Sequence, residues 1–235
     1  MIKKQVNNEF EVIGFDADDT LWGNEILFYN AQKKFNEVLG NYNDNSDQKL
    51  LNIEKKNIEY YGYGVKGFIL SLIETAIKLS NKKVDNDTIN AFLNLGKNML
   101  SEPVKLLPDV KSNLRILSKN YKLILITKGD LLDQERKIKS SELSKYFTYI
   151  EIVSEKNKTT YKRILDKYKI NPKKFLMVGN SLKSDILPVT EIGGKGIYIP
   201  FQLTWELEKV DYDPKSKGYV QLDNISLIRA WLEKT

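Results

Sequence analysis

The sequence predicts an α/β protein: a doubly wound parallel sheet with helices on both faces, interrupted after its first strand by an all-helical insert. Three observations carry this. After Pro103, apolar strands alternate with helical segments, as in chains of strand–helix–strand units. Those strands lack polar alternation, which fits burial on both faces. From residue 24 to residue 100 the pattern is helical, and nothing there reads as a strand.

The first element, "EVIGF" (11–15), is a short buried strand bounded by Asp16. In "EILFYNAQKKFNEVL" (25–39) Ile26, Leu27, Asn30, Lys34 and Phe35, with Val38 and Leu39, recur at mixed three-to-four spacing. "NYNDNSDQK" (41–49) is polar and reads as a loop or an exposed helix start. "VKGFILSLIETAIKL" (65–79) has a sustained stripe of Val65, Phe68, Ile69, Leu72, Ile73, Ala76 and Ile77. "DNDTINAFLNLGKNML" (85–100) is a further helix, with Asp85 or Asp87 as its N-cap. Beyond Pro103, helices are expected over 109–120, 130–143, 159–169 and 183–193, and strands over 121–127, 146–153, 174–180 and 194–200. The resulting division is a core of residues 1–21 and 102–235, with residues 22–101 inserted.

Composition narrows the chemistry. The chain has 235 residues, 41% hydrophobic and 29% charged, the balance of a soluble globular protein. No stretch approaches the roughly 20 apolar residues of a membrane helix. "MIKKQVNNEF" is followed by only a short apolar segment, so no secretory signal is expected and a cytoplasmic location is. Cysteine is absent, which excludes disulfides, thiolate zinc sites and a thiol nucleophile. Histidine is absent too, so there is no Ser-His-Asp triad and no imidazole ligand. Acid–base work falls to carboxylates, lysines or tyrosines, and any metal must be a hard ion held by oxygen. The net charge of +6 comes from lysines spread along the chain, with no basic run interleaved with aromatics; a nucleic-acid partner is not expected.

"DADDT" (16–20) follows the first strand. In an extended segment residues i and i+2 face the same way, so Asp16 and Asp18 can converge on one point. Two such carboxylates repel without a cation, and in unequal environments they can divide nucleophilic and proton-transfer roles. An acidic turn, with Asp18 or Asp19 as a helix cap, is the other reading of this pentapeptide. Asp16, Thr127 and Asn180 each lie at the carboxyl end of an expected strand, where open α/β sheets bind ligands.

"DADDT" resembles the first motif of the haloacid dehalogenase-like (HAD) superfamily, and three further stretches resemble its other motifs in order. "LILITKG" supplies Thr127, "SEKNKTTY" supplies Lys156 or Lys158, and "VGNSLKSD" supplies Asn180 and Asp185. The resemblance implies a Rossmann-like core, with the insert as a helical cap domain, and a phosphatase acting on a small phosphorylated metabolite. By resemblance, Asp16 is the nucleophile that becomes an aspartyl-phosphate, and Asp18 is the general acid and base. Thr127 and the amide of Lys128 hold phosphoryl oxygens, and the motif-three lysine neutralises charge. Magnesium is held by Asp16, the main-chain carbonyl of Asp18 and Asp185, with Asn180 where the family usually has an acid. That departure implies weaker metal binding. Lys156 is preferred over Lys158 because Tyr161 follows five residues later, at the place of the family's helix aromatic. A phosphomutase on a sugar phosphate and a non-catalytic regulatory protein are the alternatives on the same scaffold. No membrane partner is implied, and the chain is expected as monomer or homodimer.

Two stretches remain outside the motifs. In "EYYGYGVKGF" (59–68), Gly62, Gly64 and Gly67 break the helical text, giving either a plain interhelix turn or a loop presenting Tyr63 or Lys66 to substrate. "IPFQLTWELE" (199–208) follows the last expected strand and carries Trp205, which by default packs within its own helix or loop and otherwise lines the core's edge or contacts the cap.

Overall fold

The computed structural model describes residues 9–39, 45–210 and 218–234. The opening residues 1–8 and residues 41–44 of the polar stretch thus lie outside the described residues. The chain divides into two compact units: Met1–Gly23 with Val104–Lys128 and Arg136–Thr235, and Asn24–Pro103 with Gly129–Glu135.

The first unit is built on a six-stranded sheet: β1 (Val12–Phe15), β2 (Lys122–Lys128), β3 (Tyr149–Val153), β4 (Phe175–Gly179), β5 (Lys195–Tyr198) and β6 (Tyr219–Gln221). The order is β3-β2-β1-β4-β5-β6, with every neighbouring pair parallel. β1 is central, and the chain winds outward from it in both directions, so the switch point of the topology lies at its carboxyl end. Register aligns Phe15 with Leu125 on one side and with Val178 on the other. Asp16 and Asn180 therefore emerge close together at one edge of the sheet, beside Thr127 near the end of β2.

Alternation along the strands fills both faces. Ile13, Phe15, Leu123, Leu125, Leu176 and Val178 pack against α5 (Val110–Leu117), the second half of α6 (Leu131–Ser141) and the C-terminal α9 (Ile228–Leu232). Val12, Ile124, Ile126, Phe175 and Met177 pack on the opposite face against α7 (Lys158–Lys167) and α8 (Leu187–Thr190). Each fully buried aliphatic or aromatic side chain contributes about 1.5–3 kcal/mol. β6 and α9 lie outside the elements that the sequence predicts, and the helix expected over 183–193 is a π-helical turn, Leu182–Ile186, followed by α8.

The second unit contains α1 (Glu25–Leu39), α2 (Ser46–Tyr61), α3 (Val65–Leu79) and α4 (Asn86–Ser101). Phe35, Leu50, Leu72, Ala76 and Phe92 form its core. The α3 stripe points inward as its spacing predicts, except that Ile77 is exposed. Asp85 is the N-cap of α4, accepting from the Thr88 amide at 2.7 Å. Asn57 of α2 is buried and donates to Ser71 and Glu74 of α3, a polar pin in an otherwise apolar seam. The turn between α2 and α3 needs Gly62, whose φ of 68° lies in the left-handed region. Among the described residues no helix is long and apolar enough to cross a membrane.

Candidate active site

β1 ends at Phe15, and the Asp16 amide continues the ladder by donating to Val178 O at 2.9 Å. The chain then turns sharply. Leu21 N bonds to Ala17 O at 2.8 Å, and Asp19 adopts a φ of 61° with its amide on Trp22 O. Asp19 is thus a turn residue, tolerated there because a short polar side chain accepts left-handed backbone.

Asp16 is buried, and Lys156 Nζ donates to its Oδ1. Thr20 Oγ1 donates to Asp16 Oδ2 at 3.0 Å. The same Lys156 ammonium donates to Asp185 Oδ1 at 2.7 Å, and the Ser181 amide donates to Asp185 Oδ2 at 3.0 Å. Lys158, by contrast, is exposed at the first position of α7, whose N-cap Asn157 accepts from the Thr160 amide. The lysine that reaches Asp16 is therefore Lys156. Tyr161 is fully buried, and its hydroxyl donates to Ser184 O at 3.1 Å. Close approach matters at Gly179: a Cβ there would lie 2.3 Å from Asp185 Oδ2, so only glycine leaves this carboxylate its place.

The electrostatics follow from burying one ammonium with two carboxylates. Burial pushes the Asp16 carboxyl up to about 7, opposed by Lys156 and reinforced by Asp185 and Asp18. Burial disfavours the Lys156 charge, but Asp16 and Asp185 outweigh it and hold the ammonium well above its ordinary value. With both carboxylates ionised the trio would carry a net negative charge, which an added cation would relieve.

The oxygens present suit such a cation. The Asn180 amide directs one terminal atom to within 3.1 Å of Asp18 O, 3.1 Å of Asp16 Oδ2 and 3.2 Å of Thr20 Oγ1. With nitrogen on that side, the amide's two hydrogens are shared among these three acceptors. With oxygen there, the Asn180 amide would join Asp16 Oδ2 and the Asp18 carbonyl as a hard donor for a cation such as magnesium. Among the described residues no group of three or more acidic side chains forms a metal cluster. The available set is instead two carboxylates, Asp16 and Asp185, with one amide and one carbonyl, all hard donors.

Asp18 is held differently. Lys137 Nζ lies 2.8 Å from its Oδ1 and 2.7 Å from its Oδ2, and Trp22 Nε1 donates to Oδ1 at 2.6 Å. Lys137 is buried on α6 and Trp22 is almost fully buried. Neither pairing was read from sequence. The only available signal was a lysine on the α6 face that also carries Ile138, and such a lysine looks like any solvated one.

Thr127 is buried near the end of β2, opposite Ile152 of β3. The Lys128 side chain turns to Glu208 Oε1 at 2.7 Å. In the second unit, Lys66 pairs with both oxygens of Asp130, at 2.9 and 3.0 Å, and Tyr60 and Tyr61 are exposed.

Comparison with known proteins gives one consistent family. Residues 10–193 match the model for haloacid dehalogenase-like hydrolases. A haloacid dehalogenase-like family hydrolase from Xanthomonas campestris is similar at 36% identity and a TM-score of 0.86, covering 99% of this chain and 96% of that one. The HAD-hydrolase YfnB from Bacillus subtilis, bound to magnesium, is similar in fold at 14% identity and a TM-score of 0.67, covering 95% of this chain and 99% of that one. A glyceraldehyde 3-phosphate phosphatase from Pyrococcus furiosus is 28% identical over 103 residues, which span 42% of this chain and 43% of the relative.

Proposed function

Because the chain belongs to the haloacid dehalogenase-like hydrolase family, we propose that it is a magnesium-dependent phosphatase that hydrolyses a small phosphorylated metabolite through an aspartyl-phosphate. The observation that carries this reading is the Lys156 ammonium seated between the carboxylates of Asp16 and Asp185 where the central strands end. A carboxylate beside a fixed ammonium is placed for nucleophilic attack on an anionic phosphoryl group, because the ammonium offsets the repulsion between the two.

In the first half-reaction Asp16 forms a bond to phosphorus as the ester oxygen–phosphorus bond breaks. Asp18 delivers a proton to the departing oxygen. Lys137 holds both oxygens of Asp18 and Trp22 holds Oδ1 alone, and together they fix the orientation of the carboxyl that carries the proton. In the second half-reaction Asp18 takes a proton from water, which attacks the phosphoryl group and frees Asp16. The Thr127 hydroxyl and the Lys128 amide grip phosphoryl oxygens, and Lys156 offsets their charge. Asp16, the Asp18 carbonyl, Asn180 and Asp185 are the residues that would hold magnesium. When bound, the ion supplies charge neutralisation and a fixed orientation for the transferred group. Residues 1–21 and 102–235 carry this chemistry, and residues 22–101 serve as the cap.

The named activity of the Pyrococcus furiosus relative, a phosphatase on a three-carbon phosphate, supports the substrate class. The test is phosphate release from a panel of phosphorylated metabolites, with and without magnesium, for the wild type and Asp16→Asn. Release that requires magnesium and falls at least about a thousandfold in the variant is expected. Release that survives the substitution removes Asp16 as nucleophile, and isomerised product without free phosphate would indicate a mutase.

A further inference from the structure

Resting on the phosphatase reading, we infer that Glu208 is a positioning residue that holds the phosphoryl-binding and cation-binding halves of the site in register. Glu208 ends a short 3-10 turn, Glu206–Glu208, in the stretch after β5 that none of the four motifs includes. Its carboxylate is nearly buried and gathers three donors from two separate elements. Lys128 Nζ, at the end of β2, lies 2.7 Å from Oε1. The hydroxyls of Ser181 and Ser184, both in the turn after β4, lie 2.6 Å from Oε2.

The direction of these bonds gives the inference its content. An ionised carboxylate only accepts, so both serine hydroxyls must donate to it. Ser181 Oγ is then left as the acceptor for the Ser184 amide, at 3.0 Å, which closes the first turn of the π-helical segment. Ser181 lies next to Asn180, and its amide binds Asp185 Oδ2; Ser184 lies next to Asp185. Glu208 thereby fixes the backbone that presents both motif-four side chains. The other end of the network holds the residue after Thr127. Lys128 Nζ also contacts Ser184 Oγ at 3.2 Å and Glu155 Oε1 at 3.4 Å, and Lys183 Nζ ties back to Leu207 O at 2.6 Å. Burial disfavours the Glu208 charge, but Lys128 and the two hydroxyls outweigh it and hold the carboxyl below its ordinary range.

A glutamine at this position keeps the shape but removes the charge opposite Lys128 and adds a donor, which must face either the Lys128 ammonium or the two serine hydroxyls. Metal-site partners of this kind typically change affinity or activity by 10- to 100-fold. The experiment compares wild type, Glu208→Gln and Glu206→Gln, the last being an exposed neighbour paired with Lys209. Magnesium affinity is measured by calorimetry, kcat and KM with p-nitrophenyl phosphate, and folding by thermal unfolding. The expected result for folded Glu208→Gln is magnesium affinity weakened about tenfold and kcat reduced about tenfold. KM should move much less, and Glu206→Gln should match the wild type. A folded Glu208→Gln whose magnesium affinity and kcat stay within about twofold of the wild type overturns the inference and leaves the phosphatase reading intact. If Glu208→Gln does not fold, Ser184→Ala carries the test with the same two readouts, and unchanged values there overturn it. A wild type that neither binds magnesium nor releases phosphate overturns the phosphatase reading, and this inference with it.

Discussion

Lys137 and Asp18, more than a hundred positions apart in the chain, form a two-point ion pair, with Nζ 2.8 Å from one carboxylate oxygen and 2.7 Å from the other. The lysine side chain is 9% exposed and the aspartate side chain 22% exposed, so the pair is only partly reached by water. Removing one member of such a pair leaves the other poorly compensated. Lys137→Met is expected to cost about 1–3 kcal/mol in urea unfolding. It should also lower kcat with little change in KM, because Asp18 loses its fixed orientation. Lys137→Arg should recover part of both. A Lys137→Met enzyme with wild-type kcat would show that the pair is structural alone.

Asn180 faces Asp16 Oδ2 and Asp18 O at 3.1 Å. Asn180→Asp adds a negative charge to that cluster. Without magnesium the charge repels Asp16 and should lower stability by about 1 kcal/mol; with magnesium it should tighten binding about tenfold. Calorimetric titration of both proteins checks this. Equal affinities would mean that position 180 does not face the ion.

Gly179→Ala places a methyl group 2.3 Å from Asp185 Oδ2 and 2.5 Å from Asp185 Cβ. Either β4 or the carboxylate must shift. A loss of about 1–3 kcal/mol is expected in unfolding, accompanied by weaker magnesium binding. Wild-type values for both would contradict the close packing described above.

Glu54 of α2 supplies a pH test that does not involve the site. Burial pushes its carboxyl up to about 7 from an ordinary 4.5. A carboxyl with a raised folded value binds its proton more tightly in the folded state. It therefore weakens the fold as pH climbs from 4.5 through about 7. Glu54→Gln should leave stability near pH 5 almost unchanged and raise it at pH 8 by about 1–2 kcal/mol, since a half-buried carboxyl retains part of its hydration. An equal effect at both values would exclude the burial cause.

The sheet was legible because β2 and β4 are uninterrupted apolar runs, and "LILIT" or "FLMV" between polar turns leaves little else to form. β6 was not, because Tyr219–Gln221 is three residues of half-exposed edge with no apolar run. The α2 helix was obscured by its own polarity: its buried face is Ser46, Leu50, Ile53 and Asn57, half of it polar. In the site, Asp16, Thr127 and Asn180 could be placed because each closes or follows an apolar strand. Spacing alone left Lys156 and Lys158 open, and burial separates them. Lys137 and Glu208 gave no local signal, since a buried charge is made by its distant partners, and those are brought together only by the fold.

The most direct measurement of the central claim is mass spectrometry of the enzyme quenched in acid during turnover of a phosphorylated substrate with magnesium. The account predicts a phosphoryl group on the peptide that contains Asp16, absent from Asp16→Asn and from enzyme without substrate. Steady phosphate release with no phosphoryl adduct on that peptide at any quench time, or an adduct on another residue, would contradict it.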